Sequence, residues 1–505
     1  MTTNRVDRLR VQWIFIAATC LSAKDGMAQC SDQEQQKILP SEASGFGSAI
    51  SISGNVAVVG ASYDGGSAVK AGSAHVYRFD GSQWVEQQEL TASNAAPYDR
   101  FGASVGISAD VIIVGAFGDD DAGESCGSSY VFRFDGSQWM QEQKLTAVDG
   151  GLEDFFGYSV DISGDHAIVG ALGDNLDDVT PDAGSAYLFR FDGSQWTLVT
   201  KLLAGNPESG AFFGNSVAID GHVAVVGARW EDDQVADAGA AYVFRYDGSQ
   251  WKEEQRLGAS DPDWYQAFGW SVAIDQPLVV IGAIGNPYSS PQHSAYVFRF
   301  NGANWFEEQA LPYSLHFPRT VAVDKDKLVV GNGGLWWGTY GHPYYIPGYG
   351  QVFRFDGSRW ITQQVLTFDY SWDDYFGAPV AIDGGVAMVG TAEHGEVSAS
   401  EAAYVYLVSE LALEIMPSQV SAGDMLYFTT CGGLSSQLAL LAIVEVNNLP
   451  LFVPITLGTF DGGGQWSFTA IVPPGLQGLV AEFQSFGFYS SGRAGLSDRE
   501  LIEFQ

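Results

Sequence analysis

The chain has 505 residues, with 60 acidic against 24 basic side chains and a formal charge of −36. A field of that sign repels nucleic acid and anionic membrane surfaces, and it removes both from the expected partners. Sixty-one Gly together with 14 Trp, 22 Tyr and 31 Phe provide tight turns and a large aromatic core, which suits strands better than helices.

In chain order, Arg5, Arg8 and Arg10 precede an apolar run over 11–18, and small residues follow. Residues 1–28 therefore read as an export signal, cleaved after Ala28 or Ala23, and the protein is expected to be secreted or at the cell surface. No later segment has the unbroken apolar length of a membrane span. Removal of 1–28 leaves Cys30, Cys126 and Cys431, an odd set without metal-type spacing. Their pairing stays open, and disulfides are not expected to hold the fold together.

Downstream, one ten-residue string recurs: HVYRFDGSQW from His75, YVFRFDGSQW from Tyr130, YLFRFDGSQW from Tyr187, YVFRYDGSQW from Tyr242, YVFRFNGANW from Tyr296 and QVFRFDGSRW from Gln351. Each lies inside a longer unit. In the fourth, FGNSVAID from Phe213 alternates with period two, and HVAVVGA from His222 is a continuous apolar run. AYVFRYD from Ala241 and WKEEQRL from Trp251 follow, joined by Asp-Gly, a strong hairpin signal. Four antiparallel strands per unit leave no room for a helix. Phe-Gly opens the unit at 46, 101, 156, 213, 268 and 376, with a degenerate copy at Phe317. Seven such units predict an all-β, seven-bladed β-propeller over 32–409.

The last unit lacks a fourth strand, whereas DQEQQKIL at 32–39 matches WVEQQEL from Trp84. The N-terminal strand is thus expected to complete the last blade and close the ring, leaving no open edge. The Trp of each string reads as interblade packing in preference to a sugar-stacking platform, because it keeps one strand position. Arg78, Arg133, Arg190, Arg245, Arg299 and Arg354 are expected to pair with fourth-strand acids such as Glu86, Glu142 and Glu253.

This pattern of Phe-Gly and Gly-Ala at fixed spacing resembles the FG-GAP repeat of integrin α-subunit propellers and their bacterial secreted relatives. The resemblance implies a propeller that binds other molecules. It departs from integrins at the first turn: SGN, SAD, SGD and DGH are too short to wrap a Ca²⁺ needing six to eight oxygens. Residues 410–505 have strand-length apolar runs between Pro-, Gly- and Asn-rich turns, and they read as a small β-sandwich.

Candidate chemistry is sparse. GASVG from Gly102 fits the nucleophile-elbow string, but a strand follows where a helix is required, so Ser104 is not read as catalytic. Asp119 and Asp121 in GDDDAGESCG, and Asp174 and Asp177 in GDNLDDVTPDAG, are the calcium candidates. They lack the full spaced ligand pattern, so solvated loop is preferred and no cofactor is expected. Loops between the second and third strands and between blades emerge on one face and carry the variation. There stand Trp264 and Trp372 before two Phe-Gly pairs, and Trp336, Trp337, Tyr340, His342, Tyr344 and Tyr345 in the elongated sixth blade. Exposed aromatics of this kind suit a sugar or a protein partner; equally, the sixth-blade loop would fold over the channel mouth as a plug. The leading expectation is a non-enzymatic adhesion or scaffold protein for a protein or glycan at the cell surface. Alternatives are a propeller-based glycan hydrolase or lyase, and a purely structural envelope or matrix component.

Overall fold

The computed structural model describes residues 9–16, 34–40, 44–177, 180–232, 235–285, 293–312, 318–332, 335–337, 344–346, 348–366, 376–391, 401–408, 438–446, 449–458, 480–488 and 494–503. Two compact units emerge, Asp32–Val408 and a second made of Met1–Ser31 with Ser409–Gln505. All elements among the described residues are strands.

The larger unit holds seven four-stranded sheets. Blade one is Phe46–Ser53, Val56–Ala61, Ser73–Phe79 and Trp84–Leu90. Blades two to six repeat this order, each ending on the strand that opens with Trp139, Trp196, Trp251, Trp305 or Trp360. The second strand is buried along its whole length in blades one to five, as its continuous apolar sequence requires. Blade seven is Phe376–Asp383, Val386–Thr391 and Ala403–Leu407, completed by Glu34–Ile38 from the N-terminal side. Gln36 pairs with Val405 and Ile38 with Ala403 in antiparallel register. The ring closes as the matching strings predicted.

The blades pack because two glycines meet across each regular seam. A Cβ on Gly60 would stand 2.0 Å from the carbonyl oxygen of Gly102, and one on Gly115 would stand 2.0 Å from that of Gly157. Gly170 and Gly227 meet Gly214 and Gly269 in the same way. The Gly of Gly-Ala is therefore needed for close approach, and the Gly of Phe-Gly adopts φ near +88° to present its carbonyl. Where Phe-Gly degenerates to Phe317-Pro318, the nearest atom to a Cβ on Gly282 would be the Val321 side chain at 3.3 Å, and no backbone carbonyl comes closer than 3.6 Å. The Phe of each pair is fully buried at 46, 101, 156, 213 and 268, between neighbouring sheets.

Each fourth strand carries a bulge, for example between Glu86 and Gln88 and again between Glu253 and Gln255. On the face of the tight first turns, the last side chain of each first strand accepts from a backbone N–H of the next blade. Ser53, Ser108 and Ser163 accept from Ala109, Gly164 and Gly221. Asp220, Asp275, Asp324 and Asp383 accept from Gln276, Lys325, Gly384 and Gly54. The circuit returns to its start and latches every blade to the next.

In the second unit five strands form one sheet, in the order 449–458, 438–446, 9–16, 480–488 and 494–503. Leu9–Ile16, which the sequence places in an export signal, runs antiparallel to Leu438–Val446 with Val11 opposite Val444. A second sandwich layer is not seen among the described residues.

Candidate aromatic binding face

The first candidates to place are the acids. Asp119 is buried, and its Oδ2 accepts from the Tyr130 hydroxyl at 2.7 Å and from Lys144 Nζ at 2.8 Å. The same ammonium donates to Asp121 at 2.7 Å. Blade three repeats the set: Lys201 Nζ lies 2.6 Å from Asp174 and 2.7 Å from Asp149, with Tyr187 and Ser185 donating to Asp174. Blade four uses Glu231 with Tyr242 and Arg256. Asp177 accepts from Thr180 Oγ1 at 2.5 Å. Burial alone would raise the Asp119 carboxyl, but the hydrogen bonds from Lys144 and Tyr130 outweigh it and hold the group below its usual range. A fourth-strand cation thus pairs with the loop acid in each of these blades. Among the described residues, no group of three or more His, Cys, Asp or Glu has metal-holding geometry.

Ser104 is structural. Its Oγ donates to the Gly157 carbonyl at 2.9 Å, as Ser48 does to Gly102 and Ser159 to Gly214. The repeated tryptophans are interior: Trp84, Trp139, Trp196, Trp251, Trp305 and Trp360 are all buried, so they offer no stacking surface. The arginine expectation needs correcting by one residue. Arg133 does pair with Glu142, but Arg245 binds Glu254 in place of Glu253, Arg78 binds Gln87, and Glu86 is taken by His75. Arg190 turns to Asp165.

The aromatic candidates divide into three groups. Trp336 and Trp337 lie in the short strand Leu335–Trp337, antiparallel to Tyr344–Ile346, with Trp336 opposite Tyr345 and Trp337 opposite Tyr344. The ribbon lies in the chain between the second and third strands of blade six. Tyr340, His342 and Trp372 lie outside the described residues. Trp264 has a full environment. It is 56% exposed, its neighbour Tyr265 is 55% exposed, and their ring centroids are 5.8 Å apart.

That pair is held firmly from below. Asp263 Oδ1 accepts from the Trp264 N–H at 2.7 Å, and Gln266 Oε1 accepts from the Asp263 N–H. Gln266 Nε2 donates to the buried Tyr296 hydroxyl, which donates to Asp261. The Tyr265 and Ala267 N–H groups bind the carbonyls of Ala236 and Asp237 in the preceding blade. Tyr265 also has φ +56°, a conformation costing a non-glycine residue about 1–2 kcal/mol. The third position before Phe-Gly has positive φ in each described connection: Tyr98, Glu153, Gly210 and Tyr265. Glycine serves at one of them. At two others a tyrosine more than half exposed takes its place, since Tyr98 is 57% exposed. Tyr98 was not among the sequence candidates, although counting back from Phe101 would have found it.

The FG-GAP repeat profile matches residues 33–77, 84–132, 139–189, 196–244 and 251–298, each match beginning at or near an outer strand and ending in the third strand of the following blade. This is an FG-GAP repeat β-propeller. FG-GAP propellers are generally non-enzymatic, protein-binding domains and occur in extracellular proteins, so the fold supports a binding or scaffold role. No curated protein matches the chain. Among the described residues of this FG-GAP chain, no helix is long and apolar enough to cross a membrane.

Proposed function

We propose that this FG-GAP propeller is a secreted, non-enzymatic adhesion or scaffold protein. It binds a protein or glycan at the cell surface through its loop-rich face. The observation that carries the reading is the Trp264–Tyr265 pair: two large side chains left in solvent, on a backbone strained at Tyr265 and fixed by a buried hydrogen-bond chain through Gln266 and Tyr296. Strain kept where glycine would relieve it points to use of the side chain. A rigid aromatic pair also gives contact area at small entropic cost. On the export reading of residues 1–28, this face would lie outside the cell.

The test uses the full chain, fluorescently labelled, against a glycan array and against intact cells. Trp264→Ala with Tyr265→Ala should abolish the parent's binding while the melting temperature stays unchanged. Binding that survives the double substitution removes the site. N-terminal sequencing of the exported protein should begin after Ala28 or Ala23; a retained Met1 overturns the export reading.

A further inference from the structure

Six blade hairpins turn on a two-residue tip at the same position, and one of the six differs in a chemically reactive way. Five read Asp-Gly, at Asp80, Asp135, Asp192, Asp247 and Asp356, and the blade-five tip reads Asn301-Gly302. In every tip the side-chain Oδ1 folds back over the turn. Asp135 accepts from the Ser137 N–H at 2.7 Å, the Gln138 N–H at 2.9 Å and the Ser137 hydroxyl at 2.8 Å. Asn301 accepts from the Ala303 N–H at 3.0 Å and the Asn304 N–H at 2.9 Å. Ala303 has no hydroxyl, so the third bond is missing, and no hydrogen bond to another described residue holds the Asn301 Nδ2.

The ring closed by Oδ1 and the Ala303 N–H encloses the Gly302 peptide, which keeps the Asn301 Cγ beside the Gly302 nitrogen. Residues 301–304 are exposed. A Cβ on Gly302 would meet nothing within 4 Å, so no neighbouring group packs against the tip on that side. We propose that Asn301 is a spontaneous deamidation site and that its product restores the aspartate of the five sister tips. The Gly302 peptide nitrogen loses its proton to solvent base and forms a bond to Asn301 Cγ. The Cγ–Nδ2 bond breaks, and ammonia leaves with a proton. Water then opens the cyclic imide. Cleavage of the nitrogen–Cγ bond returns the normal main chain with an aspartate, and cleavage at the former main-chain carbonyl gives isoaspartate. Either way one water is consumed and one ammonia released.

The aspartate product keeps both backbone bonds and accepts them with a charged oxygen, which strengthens them. The isoaspartate product threads the main chain through Cβ and Cγ and cannot keep the turn. The folded hairpin therefore favours aspartate.

The sequence supplies its own control in Asn332-Gly333. Asn332 is 1% exposed, sits opposite Tyr349 at the end of a paired strand, and donates to the Val330 carbonyl at 3.4 Å. The experiment incubates the folded full chain in mildly alkaline buffer and follows both sites by peptide mass mapping, with isoaspartate scored by methyltransferase labelling. A parallel sample is held in denaturant. Asn301 should convert at least several-fold faster than Asn332 in the folded chain, and the two should converge in denaturant. Gly302→Ala should slow the reaction at 301, and aspartate should exceed isoaspartate there. An unconverted Asn301, or equal folded-state rates at the two sites, overturns the assignment. Isoaspartate in excess overturns the claim that the hairpin directs the product.

Discussion

The seam between blades two and three and the seam between blades three and four are built on the same repeat, yet their outer edges differ completely. At the first, Gln143 clasps the Trp196 backbone, donating to its carbonyl and accepting from its N–H, both at 2.8 Å. Glu142 takes the indole N–H at 3.0 Å and holds Arg133 as well. Gln36, Gln88, Gln255 and Gln309 form the same clasp on Trp84, Trp139, Trp305 and Trp360. At the second seam Thr200 and Val199 replace the Gln and Glu. Thr200 bonds its own strand, Arg190 is diverted to Asp165, and the Trp251 indole N–H is buried without a partner. His166 meets that indole edge-on at 5.9 Å and Tyr246 packs beside it at 5.7 Å between ring centroids. The inner latch from Gly221 to Ser163 and the Gly170–Gly214 approach persist there. The seam between blades three and four thus stays joined through its inner and middle strands, while the outer clasp adds stability one seam at a time, as neighbour-only contacts allow.

The severest break is at the closing strand. Deleting residues 34–38 removes a whole edge strand of blade seven and the Gln36 clasp on Trp84 together. The variant should lose its cooperative melting transition and aggregate in size-exclusion chromatography; a parent-like melt would show that closure lies elsewhere.

Converting the good seam into the poor one is the next test. Glu142→Val with Gln143→Thr removes three interblade hydrogen bonds and leaves a buried indole donor unpaired. At about 0.5–1.5 kcal/mol per bond, the expected loss is roughly 2–4 kcal/mol, read from urea denaturation. The reverse change, Val199→Glu with Thr200→Gln, should gain about 1–2 kcal/mol by the same reckoning. No gain would mean that the blades are too far apart at that seam to accept the clasp.

A pH profile sharpens the comparison, because the poor seam holds a carboxylate on its inner edge. Asp161 accepts from the Ile219 N–H at 2.7 Å, where Ser51 serves in blade one. Burial pushes its carboxyl up to about 7, against the hydrogen bonds from Ile219 and Ile162, and the Asp220 charge adds to the rise. A carboxyl raised on folding holds its proton in the native state while the unfolded chain has lost it. Its contribution to stability therefore falls as pH rises from the ordinary Asp value of about 4 to about 7, and is flat above. Asp161→Ser should match the parent in acid and exceed it in melting temperature at neutral pH. A constant difference across the range would refute the titration.

The smallest effect expected is that of calcium. With Lys144 and Lys201 seated between their aspartates, chelator and millimolar Ca²⁺ should give melting temperatures within a few degrees. A large rise with Ca²⁺ would mean that the ion displaces a lysine.

Blade count, strand order and the closing strand were legible because each blade repeats one period, so a missing element in the last copy showed against the others. Side-chain partners were not, and the bulge explains why. In the fourth strand of blade four, Phe244 faces Glu253 and Val243 faces Gln255, leaving Glu254 as the extra residue. That extra residue turns to Arg245, so counting by twos along the strand names Glu253 and misses by one. The site was half legible for a similar reason. Trp264 stands out as an aromatic in a polar loop, but the exposure of Tyr98 depends on a positive φ that composition does not reveal.

The family matches start at the outer strand of one blade and end in the third strand of the next, so the unit copied in the sequence straddles two sheets. Duplication of that unit within a gene inserts one clasping strand and one blade body together, and the terminal strands still meet. Rings of different circumference are therefore reachable by whole-unit gain or loss, without passing through an intermediate that exposes a raw sheet edge to other chains.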